Sequence, residues 1–68
     1  MRVSARNKLP GVVSEIQSDG LMAKVSIRLG DNHIVALITA ESVAELELKV
    51  GDNVTALVKS TSVMLAKA

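Results

Sequence analysis

Along residues 21–29 apolar and polar side chains alternate: Leu21, Ala23, Val25, Ile27 and Leu29 hold the odd positions, with Met22, Lys24, Ser26 and Arg28 between them. A period of two is that of a strand with one buried face. Ser18-Asp19-Gly20 precedes this segment, and its Asp-Gly step suits a hairpin turn that needs positive φ; Gly30-Asp31-Asn32 follows as a second turn signal. Residues 9–17 therefore read as a first long strand, antiparallel to the second, with Pro10 and Gly11 near its start arguing for an edge, a bulge or a bend. From His33 to Thr39 the chain is almost continuously apolar, as in a strand covered on both faces, and one of those covers could be another subunit.

Thr39 can cap a short helix over residues 40–46, where Glu41 sits in the first turn and suits the positive end of the macrodipole. The stretch from Lys49 to Asn53 supplies the next turn, and Val54, Ala56 and Val58 then alternate with Thr55, Leu57 and Lys59 as a fourth strand. Val63 and Leu65 suggest a short fifth strand after the Ser60-Thr61-Ser62 bend. Three strands, a helix and two more strands is the element order of an OB-like barrel. The expected fold is thus all-β, a five-stranded OB-like barrel with one short helix between strands 3 and 4, and residues 1–68 read as a single domain without internal repeat or linker.

Composition adds a demand that this fold cannot meet alone. Hydrophobic residues make up 49% of the 68, and none is aromatic. A domain of this size buries only about 60% of its unfolded surface, and disulfides, metals or oligomerisation often supplement its stability. Cysteine is absent and His33 is the only histidine, which excludes a disulfide and a closed nitrogen or sulfur metal site. Oligomerisation through apolar interfaces is the expected device; a monomer with a dense aliphatic core is the alternative. Met22 and Met64 read as adaptable filler or interface residues.

A formal net charge of +1 leaves no electrostatic footprint for nucleic acid or anionic lipid. The N-terminal residues lack the apolar core of a secretory signal, and no apolar run approaches the roughly 18 residues of a membrane span, so a cytoplasmic protein with no membrane partner is expected. Catalysis lacks its parts. His33 has no evident serine partner, and Asp31, Glu41 and Asp52 are accounted for by turns and a helix start. The four glycines form neither a phosphate loop nor a dinucleotide fingerprint, so a binding protein without an organic cofactor is expected, not an enzyme.

The candidate chemistry lies in three short segments. Ser4-Ala5-Arg6-Asn7-Lys8 and Lys59-Ser60-Thr61-Ser62 are crowded with cations and hydroxyls and contain no carboxylate. Backbone N–H groups, hydroxyls and one or two cations are what a small tetrahedral oxyanion needs around it. Thr39-Ala40-Glu41-Ser42 is a third hydroxyl cluster, though helix capping accounts for Thr39 and Ser42 without any ligand. Arg6 and Lys8 are equally what a strand edge shows to solvent. Lys59, ending a strand before three hydroxyl residues, resembles the start of an anion-binding nest.

Taken together, Ser4-Ala5-Arg6-Asn7-Lys8-Leu9, Ala36-Leu37-Ile38-Thr39-Ala40-Glu41-Ser42-Val43 and the run from Val50 to Thr61 resemble the molbindins, small molybdate-binding proteins of about this length. The resemblance implies an OB-like subunit assembled as a homohexamer, a trimer of dimers, that holds molybdate or tungstate between subunits for molybdenum storage or homeostasis. It implies one oxyanion site built from Ser4, Ala5, Arg6 and Asn7 with Lys59 and Ser60, and further contacts at Thr39, Ala40 and Ser42. Two other readings stand beside it. An OB-like nucleic-acid binder would rely on aromatic platforms and a basic groove, neither of which this sequence offers. A ligand-free structural oligomerisation module is the other.

Overall fold

A computed structural model of the chain describes residues 6–68. Its elements are β1 (Asn7–Asp19), β2 (Met22–Leu29), β3 (Asn32–Thr39), α1 (Ala40–Glu45), β4 (Asn53–Val58) and a 3-10 turn over Ser60–Ser62. The strands form one curled antiparallel sheet in the order β3-β2-β1-β4. Two-residue hairpin loops join the first three strands, since Asp19 pairs with Met22 and Leu29 with Asn32. Gly20 and Gly30 hold φ of 65° and 63° at the first loop positions, followed by Leu21 and Asp31 at negative φ, the type II′ arrangement whose twist matches the flanking strands. Each hairpin thus turns on a leading glycine, and Asp19 belongs to the strand.

β1 is the axis of the fold, because it pairs with β4 through its first half and with β2 through its second. The exchange occurs at Gly11 and Val12, where the backbones crowd: a Cβ on Gly11 would lie 2.6 Å from the Arg28 carbonyl oxygen. Pro10 faces Thr55 in this ladder, while pairing to β2 begins only at Val12, so its missing N–H costs no cross-strand bond on that side. A bulge between Val13 and Glu15 leaves Ser14 without a partner and bends the strand. The phase of alternation changes there: Leu9 and Val13 face inward before the bulge, and Ile16, which pairs with buried Val25, does so after it.

The concave face carries the core. Val13, Ala23, Val25 and Ile27 are buried, and Ile34, Ile38, Val43, Leu48 and Val54 pack around them. Thr39 caps α1 and thereby turns the chain from the end of β3 across one mouth of the sheet. The helix ends one residue earlier than the sequence pattern suggests: Leu46 is its C-cap, and Glu47 takes the left-handed conformation at φ 53°. No helix among the described residues is long and apolar enough to cross a membrane.

One expectation requires correction. Among the described residues there are four strands in a curled half-barrel, and the fifth strand expected around Val63 and Leu65 is not formed. The expected fifth strand fails because alternating apolar residues still need a neighbouring edge; Val63, Met64 and Leu65 leave the sheet after the 3-10 turn and are 49%, 91% and 94% exposed. Within the single chain Ile34 and Ile38 of β3 pack inward, while Val35 and Leu37 lie open on the other face, the one expected to be covered by another subunit. The concave face consequently holds an open apolar cleft of about 540 Å³, floored by Val13, Val25 and Ile27 and walled by Ile34, Leu48 and Val54.

Candidate functional site

Asn7 and Val58 form the last rung of the β1/β4 ladder, and the candidate site grows from that rung. The Asn7 side-chain amide donates to the Val58 carbonyl oxygen at 3.1 Å, fastening the end of one strand to the end of the other. Continuing the register by one step sets Arg6 opposite Lys59, and both are exposed. Lys8, one rung earlier opposite Leu57, falls on the same face, because side chains alternate across a strand. Three cations therefore share one face at one end of the sheet. The four rungs from Asn7/Val58 to Pro10/Thr55 contain no carboxylate to neutralise them. Arg6 and Lys59 lie exposed just past the last described rung, where an anion set between them would be attracted to both.

The residues after Lys59 add donors. Lys59 is extended (φ −67°, ψ 140°), after which the chain tightens into the 3-10 turn, with no side chain capping its start. The N–H groups of Ser62 and Val63 donate to the carbonyls of Lys59 and Ser60. Among the described residues the N–H groups of Ser60 and Thr61 meet no backbone acceptor, and the hydroxyls of Ser60, Thr61 and Ser62 are all exposed. Of the sequence-derived candidates, then, Arg6, Asn7, Lys59 and Ser60 come together. Ser4 and Ala5 lie outside the described residues.

The second cluster is elsewhere and differently disposed. Thr39 pairs with Met22, which pairs with Asp19, so this cluster lies at the far end of β1 from Asn7. Thr39 Oγ1 accepts the Ser42 N–H at 3.0 Å and donates to Ser42 Oγ at 2.8 Å. The Ala40 N–H donates to the Leu21 carbonyl at 2.9 Å. Helix capping thus occupies most of what these residues offer, leaving the Ser42 hydroxyl proton as their open donor. Within one chain the two clusters do not converge.

The structure gives two residues of the candidate segments a definite place. The register sets Lys8 on the same face as Arg6, two residues away. The Thr61 N–H meets no backbone acceptor among the described residues. Among the described residues no group of three or more His, Cys, Asp or Glu could hold a metal cation.

The chain as a whole has known relatives. Residues 3–65 match the TOBE domain. Molybdenum-pterin-binding protein 2 of Clostridium pasteurianum is 42% identical across 96% of this chain and 97% of its own length. The molybdenum transport protein ModE of Azotobacter vinelandii is 48% identical across 96% of this chain, which spans only 24% of ModE. The solved structure of a molybdate-binding protein from Sporomusa ovata superposes with a TM-score of 0.94 at 46% identity, covering 98% of this chain and all of that one. The chain belongs to the TOBE domain family and, within it, to the small molbindin (Mop) proteins.

Proposed function

We propose that this protein binds molybdate, and its near-isostere tungstate, at sites completed between subunits of a homo-oligomer, and so serves molybdenum storage or homeostasis. The observation that carries this reading is that the β1/β4 register, continued one step past Asn7/Val58, sets Arg6 across from Lys59 next to four rungs that hold no carboxylate. A tetrahedral dianion placed there would meet two cations, the Ser60 hydroxyl and the N–H groups of Ser60 and Thr61, which meet no backbone acceptor among the described residues, with Ser4 and Ala5 proposed to line it from the adjoining segment and Asn7 to brace that segment. The molybdate-binding relatives support the choice of anion.

One chain presents this site on an open edge, so a neighbour is needed to exclude water from it. The apolar cleft and the exposed 63–65 segment are the surfaces that a second copy would cover, which favours a homo-oligomer, with the hexamer of paired dimers as the proposed state. The Thr39, Ala40 and Ser42 cluster, at the other end of β1, would supply separate contacts through the Ser42 hydroxyl, with Ala40 lining them by its small side chain.

Native mass spectrometry with equimolar molybdate, tungstate, sulfate or phosphate tests ligand and assembly together. Bound molybdate or tungstate on a hexamer is expected, with little retention of the two controls, because sulfate is smaller and phosphate carries a proton near neutral pH that would face another donor. Equal retention of all four anions would mean a generic cationic patch. Intact oligomers that retain none would mean a purely structural module.

A further inference from the structure

We propose that Asn7 is a positioning residue of the oxyanion site: through its bond to the Val58 carbonyl it holds Arg6 and Lys59 at the separation an anion bridges, without touching the anion itself. This rests on the molybdate reading above and assigns one of that site's residues a distinct task.

Three observations carry it. The Asn7 amide is half-buried and donates at 3.1 Å to a residue 51 positions away, whereas the other side-chain hydrogen bonds among the described residues span 12 positions or fewer. Its acceptor is the carbonyl directly before Lys59, and Asn7 itself directly follows Arg6, so the bond joins the two backbone points from which the cations spring. Asn7 also takes the inward position of its rung, while Arg6 and Lys59 alternate to the outer face with Lys8. An amide that points inward is poorly placed to contact an anion held on the outer face.

The need for such a fastening follows from charge. Among the described residues no rung follows Asn7/Val58, so that rung guards this end of the ladder against fraying, and the two cations just past it repel each other when no anion lies between them. A ladder that splays in the empty state must be drawn together when the anion arrives, and that reorganisation weakens binding; a fastened end avoids it.

Calorimetric titration of molybdate into the parent, Asn7→Leu, Lys59→Ala and the double variant tests the proposal. Asn7→Leu keeps the side chain's approximate shape and removes the donor, and is expected to weaken binding about ten-fold in the parent. In the Lys59→Ala background, where there is no second cation left to position, the same change is expected to cost less than about two-fold. A ten-fold loss in both backgrounds, or no loss in the parent, overturns the proposal. A second readout does not depend on the variant folding: the side-chain amide resonance of Asn7 in the parent should show slowed hydrogen exchange before molybdate is added, and should stay in place while the Ser60 backbone amide shifts on its addition. An Asn7 side-chain resonance that moves with Ser60 would make it a direct ligand and overturn the positioning role. A parent that takes up no molybdate overturns the binding reading and this role with it, and is told apart from failure of the fastening alone because slowed exchange at Asn7 would persist.

Discussion

The two ends of β1 carry similar residue types put to opposite uses. At the Asp19 end, Thr39 and Ser42 spend their hydroxyls on each other and on the first turn of α1, and the Ala40 amide is taken by Leu21. At the Asn7 end, Ser60 and Thr61 begin a 3-10 turn that no side chain caps, beside cations with no carboxylate on the adjacent rungs. Hydroxyl-rich sequence therefore does not by itself distinguish a cap from a binding site. What distinguishes them is whether the donors find partners within the same few residues, and here one cluster does and the other does not.

The change expected to erase that contrast altogether is Gly11→Ala. Its Cβ would meet the Arg28 carbonyl oxygen and the Leu29 Cδ2 at 2.6 Å and the Ile27 Cγ2 at 2.7 Å, at the point where β1 passes from β4 to β2. Side chains can rotate away from such a contact, but a sheet carbonyl cannot, so destabilisation at or above the usual overpacking cost of about 1–3 kcal/mol is expected. Thermal unfolding at fixed protein concentration checks it, and an unchanged Tm would mean that the two strands are not in this close contact.

Lys59→Ala should act on one end only. Losing a charge-assisted contact is expected to weaken molybdate binding roughly ten- to 150-fold while the anion-free protein melts nearly as before. A parallel loss of Tm and affinity would show that Lys59 supports the fold and not the anion. Thr39→Ala is the reciprocal experiment: loss of a helix cap should lower stability by about 0.5–2 kcal/mol, with molybdate affinity at the Asn7 end largely retained. If affinity there falls as far as in Lys59→Ala, the two ends are not independent.

The smallest effect is expected from Glu47→Gly. Glu47 holds φ 53° just past the helix, a conformation disfavoured for residues with a Cβ, so glycine there should raise stability by roughly 0.5–1 kcal/mol without altering binding. Denaturant titration resolves a change of that size. A destabilised Glu47→Gly would imply that the glutamate side chain makes a contact that outweighs its backbone strain.

Much of the fold was legible in the residues because the information was local. The alternation of β2, the two glycine turns and the Thr39 cap each depend on a handful of neighbouring positions, and each lies within a residue or so of where the pattern put it: Leu21 falls in the turn, Asp19 and Asn32 in strands, and the helix ends one residue early. β1 was harder, since its bulge shifts the phase of alternation between Val13 and Ile16 and hides a strand of 13 residues behind an irregular pattern. The supposed fifth strand shows the limit most plainly. Val63 and Leu65 have the spacing of a strand, but spacing names a face and not a partner, and among the described residues the segment meets no edge. At the candidate site, the sequence pointed to Arg6, Asn7, Lys59 and Ser60, whereas the bond from the Asn7 amide to a carbonyl 51 residues distant is one that no local pattern encodes.

The bulge at Ser14 has one more consequence. Because Val13 faces inward and Glu15 outward on either side of it, Ser14 is surplus to the alternation: remove it, and every other side chain of β1 keeps its face while the bend is lost. The bend in β1 thus depends on how many residues the strand contains, and the Ser14 hydroxyl, which donates to the Ser26 carbonyl at 3.2 Å, fastens it to β2. A lineage could widen or narrow the cleft through the gain or loss of a single codon, leaving the chemistry of both ends of the strand untouched.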